Sequence, residues 1–212
     1  MKNSLSHKKL AGYSLAAGSL IIGVQSASGK VIHVDINPDL VLTNEMSYNV
    51  DISGETKFTV RHLKYDATWS SGAISNKTTY AYWVGNNSAY SGVSALNLND
   101  PVNTKTNWGQ YSSSSNWNLA SYFSSSSYGG NFPGTSGKYI GIKFQVSGNT
   151  HYGWIQVDIP ADVSSVTISG YAYNDTPAGP ITAGQIPEPA GLGLLACGAA
   201  GILALRRKPS KA

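Results

Sequence analysis

His33, His62 and His151 are the residues best suited to metal or acid–base chemistry in the body of this 212-residue chain. Their spacing does not assemble it. No two stand at His-x-x-x-His spacing, and the sole cysteine, Cys197, lies far away in an apolar run. Separate imidazoles on strand faces are the expectation, with no metal and no cofactor. Serine is abundant, but no Gly-x-Ser-x-Gly elbow marks a nucleophile. Carboxylates are few, and nothing singles out a glycosidase pair. Asp35-Ile-Asn-Pro-Asp39 opens like a calcium loop. An EF-hand then needs Gly at the sixth position and Glu at the twelfth, where this chain has Leu40 and Met46. A turn closed by Asn37-Pro38 is expected instead, with a non-EF calcium site at Asp35 or Asp39 left open. No catalytic residue is assigned, and the chain is expected not to be an enzyme.

The aromatic residues are more informative. Five tryptophans and thirteen tyrosines exceed what a small core needs to bury. Aromatic rings stack on sugar rings, and Asn or Asp side chains bind hydroxyls. Trp69, Trp83, Trp108, Trp117 and Trp154 are therefore the candidate ligand-binding residues. The competing account is a neutral, tyrosine-rich strand surface with no ligand.

Charge excludes one class of partner. The sequence pI is near 9.0, but seven basic residues lie outside the body, at 2–9 and 206–211. Between residues 30 and 188, eight basic residues face eleven acidic ones, so the body is net −3. It has no basic surplus to grip phosphates, and no nucleic-acid partner is expected.

Strands must position these side chains. Ile32, Val34 and Ile36 alternate with His33 and Asp35. Met46, Tyr48, Val50 and Ile52 alternate with Ser47, Asn49 and Asp51. Residues 58–65 read as a strand that loses its alternation midway, which suggests a bulge near Arg61. Tyr80, Tyr82 and Val84 alternate. Ile140, Ile142, Phe144 and Val146 face away from Tyr139, Lys143 and Gln145. Ser147-Gly-Asn-Thr150 is a hairpin turn leading to Ile155, Val157 and Ile159. A last strand starts at Val166 and ends near Tyr173. Seven or eight such strands predict an all-β fold, an antiparallel β-sandwich of jelly-roll type. Residues 86–137, rich in Ser, Gly and aromatics, read as an excursion pinned by aromatic side chains, with a helical turn at 116–123. Residues 30–185 form the domain.

The two ends read differently. Residues 1–29 carry Lys8-Lys9, an apolar run from Leu10 to Val24 and a small-residue stretch, the pattern of a secretory signal peptide that enters the membrane as a helix. Residues 190–205 form a second apolar run, about 24 Å long as a helix, followed by Arg206-Arg207-Lys208. The basic cluster would hold that end of a transmembrane helix in the cytoplasm. Pro187 and Pro189 keep the preceding segment extended.

Pro187-Glu188-Pro189, the short Gly/Ala/Leu-rich helix and Arg206-Arg207 together resemble the PEP-CTERM sorting signal, over residues 186–212. The resemblance implies Sec-type export and recognition by the membrane enzyme exosortase. It also implies transient anchoring in the inner membrane of a Gram-negative-type bacterium. Delivery to the cell surface or an exopolysaccharide matrix would follow. Separately, Tyr139–Phe144, His151–Val157, Gly170–Asn174 and Ile181–Gly184 resemble a β-module of exported bacterial proteins that has no assigned activity. Three readings follow. The first is a non-enzymatic surface or matrix protein. The second is a carbohydrate-binding module for exopolysaccharide, and the third a secreted hydrolase with an unrecognised site.

Overall fold

A computed structural model describes residues 30–187, apart from 65–68, 79, 86–91, 110–116 and 124–126. The signal peptide at 1–29 and the apolar and basic parts of the tail lie outside the described residues. Thirteen strands and no helix are found among the described residues. They are β1 (Val31–Leu42), β2 (Ser47–Ile52), β3 (Glu55–Lys64), β4 (Trp69–Asn76), β5 (Tyr82–Val84), β6 (Pro101–Val102) and β7 (Trp108–Gly109). They continue as β8 (Trp117–Phe123), β9 (Ser127–Gly130), β10 (Thr135–Val146), β11 (Asn149–Ile159), β12 (Val166–Asn174) and β13 (Ile181–Thr182).

Two antiparallel sheets carry the fold. The first runs in the order β1-β12-β11-β10-β5-β7 and the second β2-β3-β4-β8-β9. They pack face to face because each alternating strand turns one apolar row inward. Ile140, Ile142, Phe144, Ile155, Val157 and Ile168 from the first sheet meet Val50, Phe58, Val60, Ile74 and Leu119 from the second. Phe58 and Phe144 meet edge to face, 6.5 Å between centroids. Each fully buried side chain of this size contributes roughly 1.5–3 kcal/mol.

β2-β3-β4 and β10-β11-β12 are meanders within one sheet. A jelly roll passes between sheets at nearly every turn, so the antiparallel two-sheet expectation holds but this strand order does not reproduce the jelly-roll expectation. Two meander turns are two-residue hairpins. Ser53-Gly54 and Ser147-Gly148 all have positive φ, with Val146 paired to Asn149 across the second turn. That geometry matches the strand twist and is why glycine closes both turns.

A second, smaller core lies on the outer face of the first sheet. A two-stranded sheet of β6 and β13 covers part of that face. Val102, Ile181 and Ala183 pack there against Val31, Tyr139, Tyr152, Trp154 and Ala172.

Several local expectations are corrected. The bulge in β3 is not at Arg61: Val50 pairs with Phe58 and Asp51 with Thr56, which leaves Lys57 extra. Lys57 is buried and paired with Glu55, so a salt bridge rather than apolar alternation shapes the strand there. Asn37-Pro38 closes no separate turn. It is a cis bond within β1, inside a bulge between Asp35 and Leu40 opposite Ser169. Residues 117–123 are strand β8, not a helical turn. Leu119 and Ala120 are both buried beside a bulge opposite Gly72 and Ala73. That irregularity blurs the period of two. The excursion at 86–137 therefore supplies β6 to β9, including two strands of the second sheet.

One contact ties the sheets at their edge. The Tyr171 hydroxyl on β12 donates to the Asp51 carbonyl on β2 at 3.0 Å. Burial, then the charges of Tyr48, Asp51 and Tyr173, push the Tyr171 phenol up to about 12 from 10.0. The folded state thus holds the phenolic proton more tightly than the unfolded chain. Its contribution is full below pH 10 and is lost as pH rises through 12. Melting temperature should therefore fall steeply between pH 10 and 12. Tyr171→Phe, already weakened by the lost bond, about 1 kcal/mol, should show a shallower fall. Parallel alkaline profiles for the two proteins would refute the tie.

Candidate functional site

The three histidines are not brought together. His62 is buried, and its Nε2–H donates to the Val163 carbonyl at 2.8 Å. His151 is also buried; its Nδ1–H donates to the Asn174 carbonyl at 3.0 Å while the ring stacks on Phe144. His33 lies on the outer face of the first sheet, 5.7 Å from the Trp154 ring. No group of three metal-ligating side chains occurs among the described residues.

The five tryptophans divide. Trp83, Trp117 and Trp154 are buried, at 0%, 4% and 1% exposure, so the expectation that they present rings to a ligand is corrected. Trp83 and Trp117 meet in the main core, 5.2 Å between centroids. Trp154 anchors the smaller core, edge to face with Tyr139 at 5.3 Å. Gly72 on β4 lets Val166 and Ile159 close against the strand beside them, since a Cβ there would stand 2.9 Å from Val166. Trp69 and Trp108 reach solvent, on opposite faces of the sandwich.

Trp69 lies on the outer face of the second sheet, directly across from Phe123 on β8. Both are exposed, at 38% and 54%. Strand alternation places Ser71 and Ala73 on that same face, beside Asn118 and Ser121 from β8 and Thr59 and Arg61 from β3. Thr59 donates to Asn49 at 2.9 Å, Ser71 to Asn118 at 3.2 Å, and Asn118 to Ser121 at 3.1 Å. Gly129 opposite leaves room for this network, since a Cβ there would stand 2.5 Å from the Ser121 hydroxyl and displace it. The result is a strip of hydroxyl and amide groups, buried at Thr59 and Ser71 and half-buried at Asn118 and Ser121, that ends in two exposed rings.

Trp108 belongs to the first sheet's outer face. Its Nε1–H donates to the Asn103 carbonyl at 3.1 Å, and its ring stacks on Tyr152 at 5.7 Å. Lys143 pairs with Tyr152 on one side and Tyr82 on the other. Its Nζ sits 4.0 Å from the Tyr82 centroid and 5.1 Å from that of Trp108. Burial pushes the Lys143 ammonium below the ordinary lysine range and raises the Tyr152 phenol. Burial, then the Asp158 charge, raises Tyr139. Sequence reasoning placed Lys143 on the correct face but did not single it out. The available signal was a basic residue set among Tyr and Gly on the outer row of a strand whose inner row is wholly apolar.

The body ends at a defined point. The Trp154 Nε1–H donates to the Gln185 carbonyl at 3.2 Å, and Gln185 closes a turn back onto Thr182. From there the chain leaves the surface: Gln185, Ile186 and Pro187 are all exposed. Residues 185–208 match the family model of the PEP-CTERM protein-sorting motif. This chain carries an exosortase sorting signal. The PEP-CTERM motif begins at the residue where the body's last hydrogen bonds end, so folded domain and signal adjoin without a linker. It marks an exported, membrane-transiting protein. Among the sorting residues, Pro187 is described; Glu188, Pro189, Arg206 and Arg207 lie outside the described residues. No curated protein and no solved structure matches the chain.

Proposed function

We propose that this protein is a non-enzymatic component of the cell surface or extracellular matrix. Sec-type machinery exports it, the helix at 190–205 holds it briefly in the inner membrane, and exosortase processing then releases it. The observation that carries this reading is the sorting motif rooted at Gln185 on a self-contained β-body. Two of the body's histidines are already engaged by backbone carbonyls, which favours a scaffold over general acid–base catalysis. The test is fractionation of producing cells with an antibody to the body. Most of the protein should be recovered from the cell exterior. Retention in the cytoplasm or periplasm would end the proposal.

A second reading, carbohydrate binding, is favoured by one feature. Trp69 and Phe123 form an exposed platform beside Asn118 and Ser121, the pairing of ring face and amide that neutral sugars use. Trp69→Ala is expected to weaken retention on matrix polysaccharide about tenfold, since a lost ring contact is worth roughly 1 kcal/mol or more. The melting temperature should move little, because the ring is partly in solvent. A pull-down that is insensitive to this change would refute a ligand at this face.

A further inference from the structure

Among the described residues Lys143 is a half-buried cation with no counter-ion. Its Nζ rests on the Tyr82 ring and near the Trp108 ring, and the third wall, Tyr152, is a neutral phenol. Among the described residues it takes part in no ion pair; the salt bridge found there joins Lys57 and Glu55. Partial burial of an ammonium costs free energy that a carboxylate partner usually offsets. Two ring contacts recover part of it. The remainder is unmatched, in a body whose net charge is −3. The same two rings stand half in solvent beside the ammonium. They offer an apolar surface that fits the C–H face of a pyranose. A charge and a ring platform side by side select one kind of ligand: a sugar that carries its own negative charge.

We propose that Lys143, framed by Tyr82 and Trp108, binds the carboxylate of an acidic sugar, a uronate unit of an extracellular polysaccharide. The ammonium donates to the carboxylate and the rings pack against the sugar ring. This site lies on the opposite face of the sandwich from Trp69 and does not depend on that face binding anything. It relies on the export reading only for the polysaccharide being outside the cell.

The test uses the full-length protein in detergent, titrated at low salt with oligogalacturonate by calorimetry. Binding is expected, and adding salt should weaken it. The methyl-esterified oligomer, with the same rings and no charge, should bind about tenfold more weakly or worse, as should any ligand to Lys143→Met, since the charge-assisted bond is lost. Met keeps the aliphatic stem under the rings, so the melting temperature serves as the control for folding. Lys143→Arg keeps the charge and should retain binding within a few-fold. Four results would overturn the proposal. They are no binding by the wild type, undiminished binding by Lys143→Met, equal binding of the ester, and equal binding of polyglutamate, which would make the site a general anion contact. Failure here would leave the fractionation result untouched, so the two readings fall separately.

Discussion

Replacing Arg206, Arg207 and Lys208 together with neutral residues is expected to reduce the processed, external form to a trace. The protein should accumulate as an uncut membrane species. As a helix the apolar run at 190–205 would be about 24 Å long, short of the roughly 30 Å hydrocarbon core. So short a span depends on its flanks for a fixed position. In the proposed anchoring the three basic residues would supply that on the cytoplasmic side. Without them the run can slide outward with the exported body, and the Pro187-Glu188-Pro189 segment no longer sits at a fixed depth for the enzyme. Glu188→Ala tests the other half of the signal, because it leaves the anchor intact and alters only the extended segment. Both variants should fold normally, as both lie beyond Gln185, the last of the described residues with a hydrogen bond to the body. The measurement is an immunoblot of membrane and external fractions, read for the larger precursor. Normal processing of both variants would remove exosortase from the account.

The sorting tail was legible in the sequence because its parts are local. A tripeptide, a helix length and a charge cluster need no tertiary structure to be read. Strand faces were nearly as clear wherever alternation was strict, as in Ile140, Ile142 and Phe144. Hairpin turns were readable from Ser-Gly at 147–148. Three things were not legible, each for a physical reason. Lys57 reads as a solvent-facing residue but is buried by its own salt bridge in a bulge. β8 was disguised by two adjacent buried residues. The tryptophans could not be sorted, because an indole suits a core and a ligand face equally. Only the register decides. Trp83 pairs beside Ile142 and so faces inward, whereas Trp108 pairs with Val84 and faces outward. For the same reason the Lys143 site was invisible. Its three rings come from β5, β7 and β11, and no spacing along the chain announces that they meet.

The buried Trp154 leads to the other large expected effect. Trp154→Ala should destabilise the protein by about 3–5 kcal/mol, the usual result of removing a large core aromatic. That is a large share of the roughly 5–15 kcal/mol of a typical domain. The damage should also be directional. The main core between the two sheets contains no atom of Trp154. What the ring supports is the small sheet of β6 and β13, joined by the pairs Ile181–Val102 and Thr182–Pro101 and by backbone bonds of Ala183 with Asn99 and Asp100. Its other fastening is packing on Trp154, Tyr139 and Tyr152, together with the indole bond to Gln185. Loss of the indole removes that bond and the largest share of the packing. Limited proteolysis should then cut first within 97–107 and 175–187, while the meander β10-β11-β12 survives longer. Trp154→Phe separates the two contributions. It keeps much of the packing and loses the bond to Gln185, so its cost should be nearer 1–2 kcal/mol. If Trp154→Ala unfolds cooperatively, with no earlier cleavage in those segments, the β6–β13 cover is part of one core rather than a lid. The distinction bears on sorting. Gln185 is both the last anchored residue of the body and the first residue of the matched motif. A loosened cover would let the extended segment retreat from or advance toward the membrane. Processing of Trp154→Ala should therefore slow even though the motif itself is unchanged.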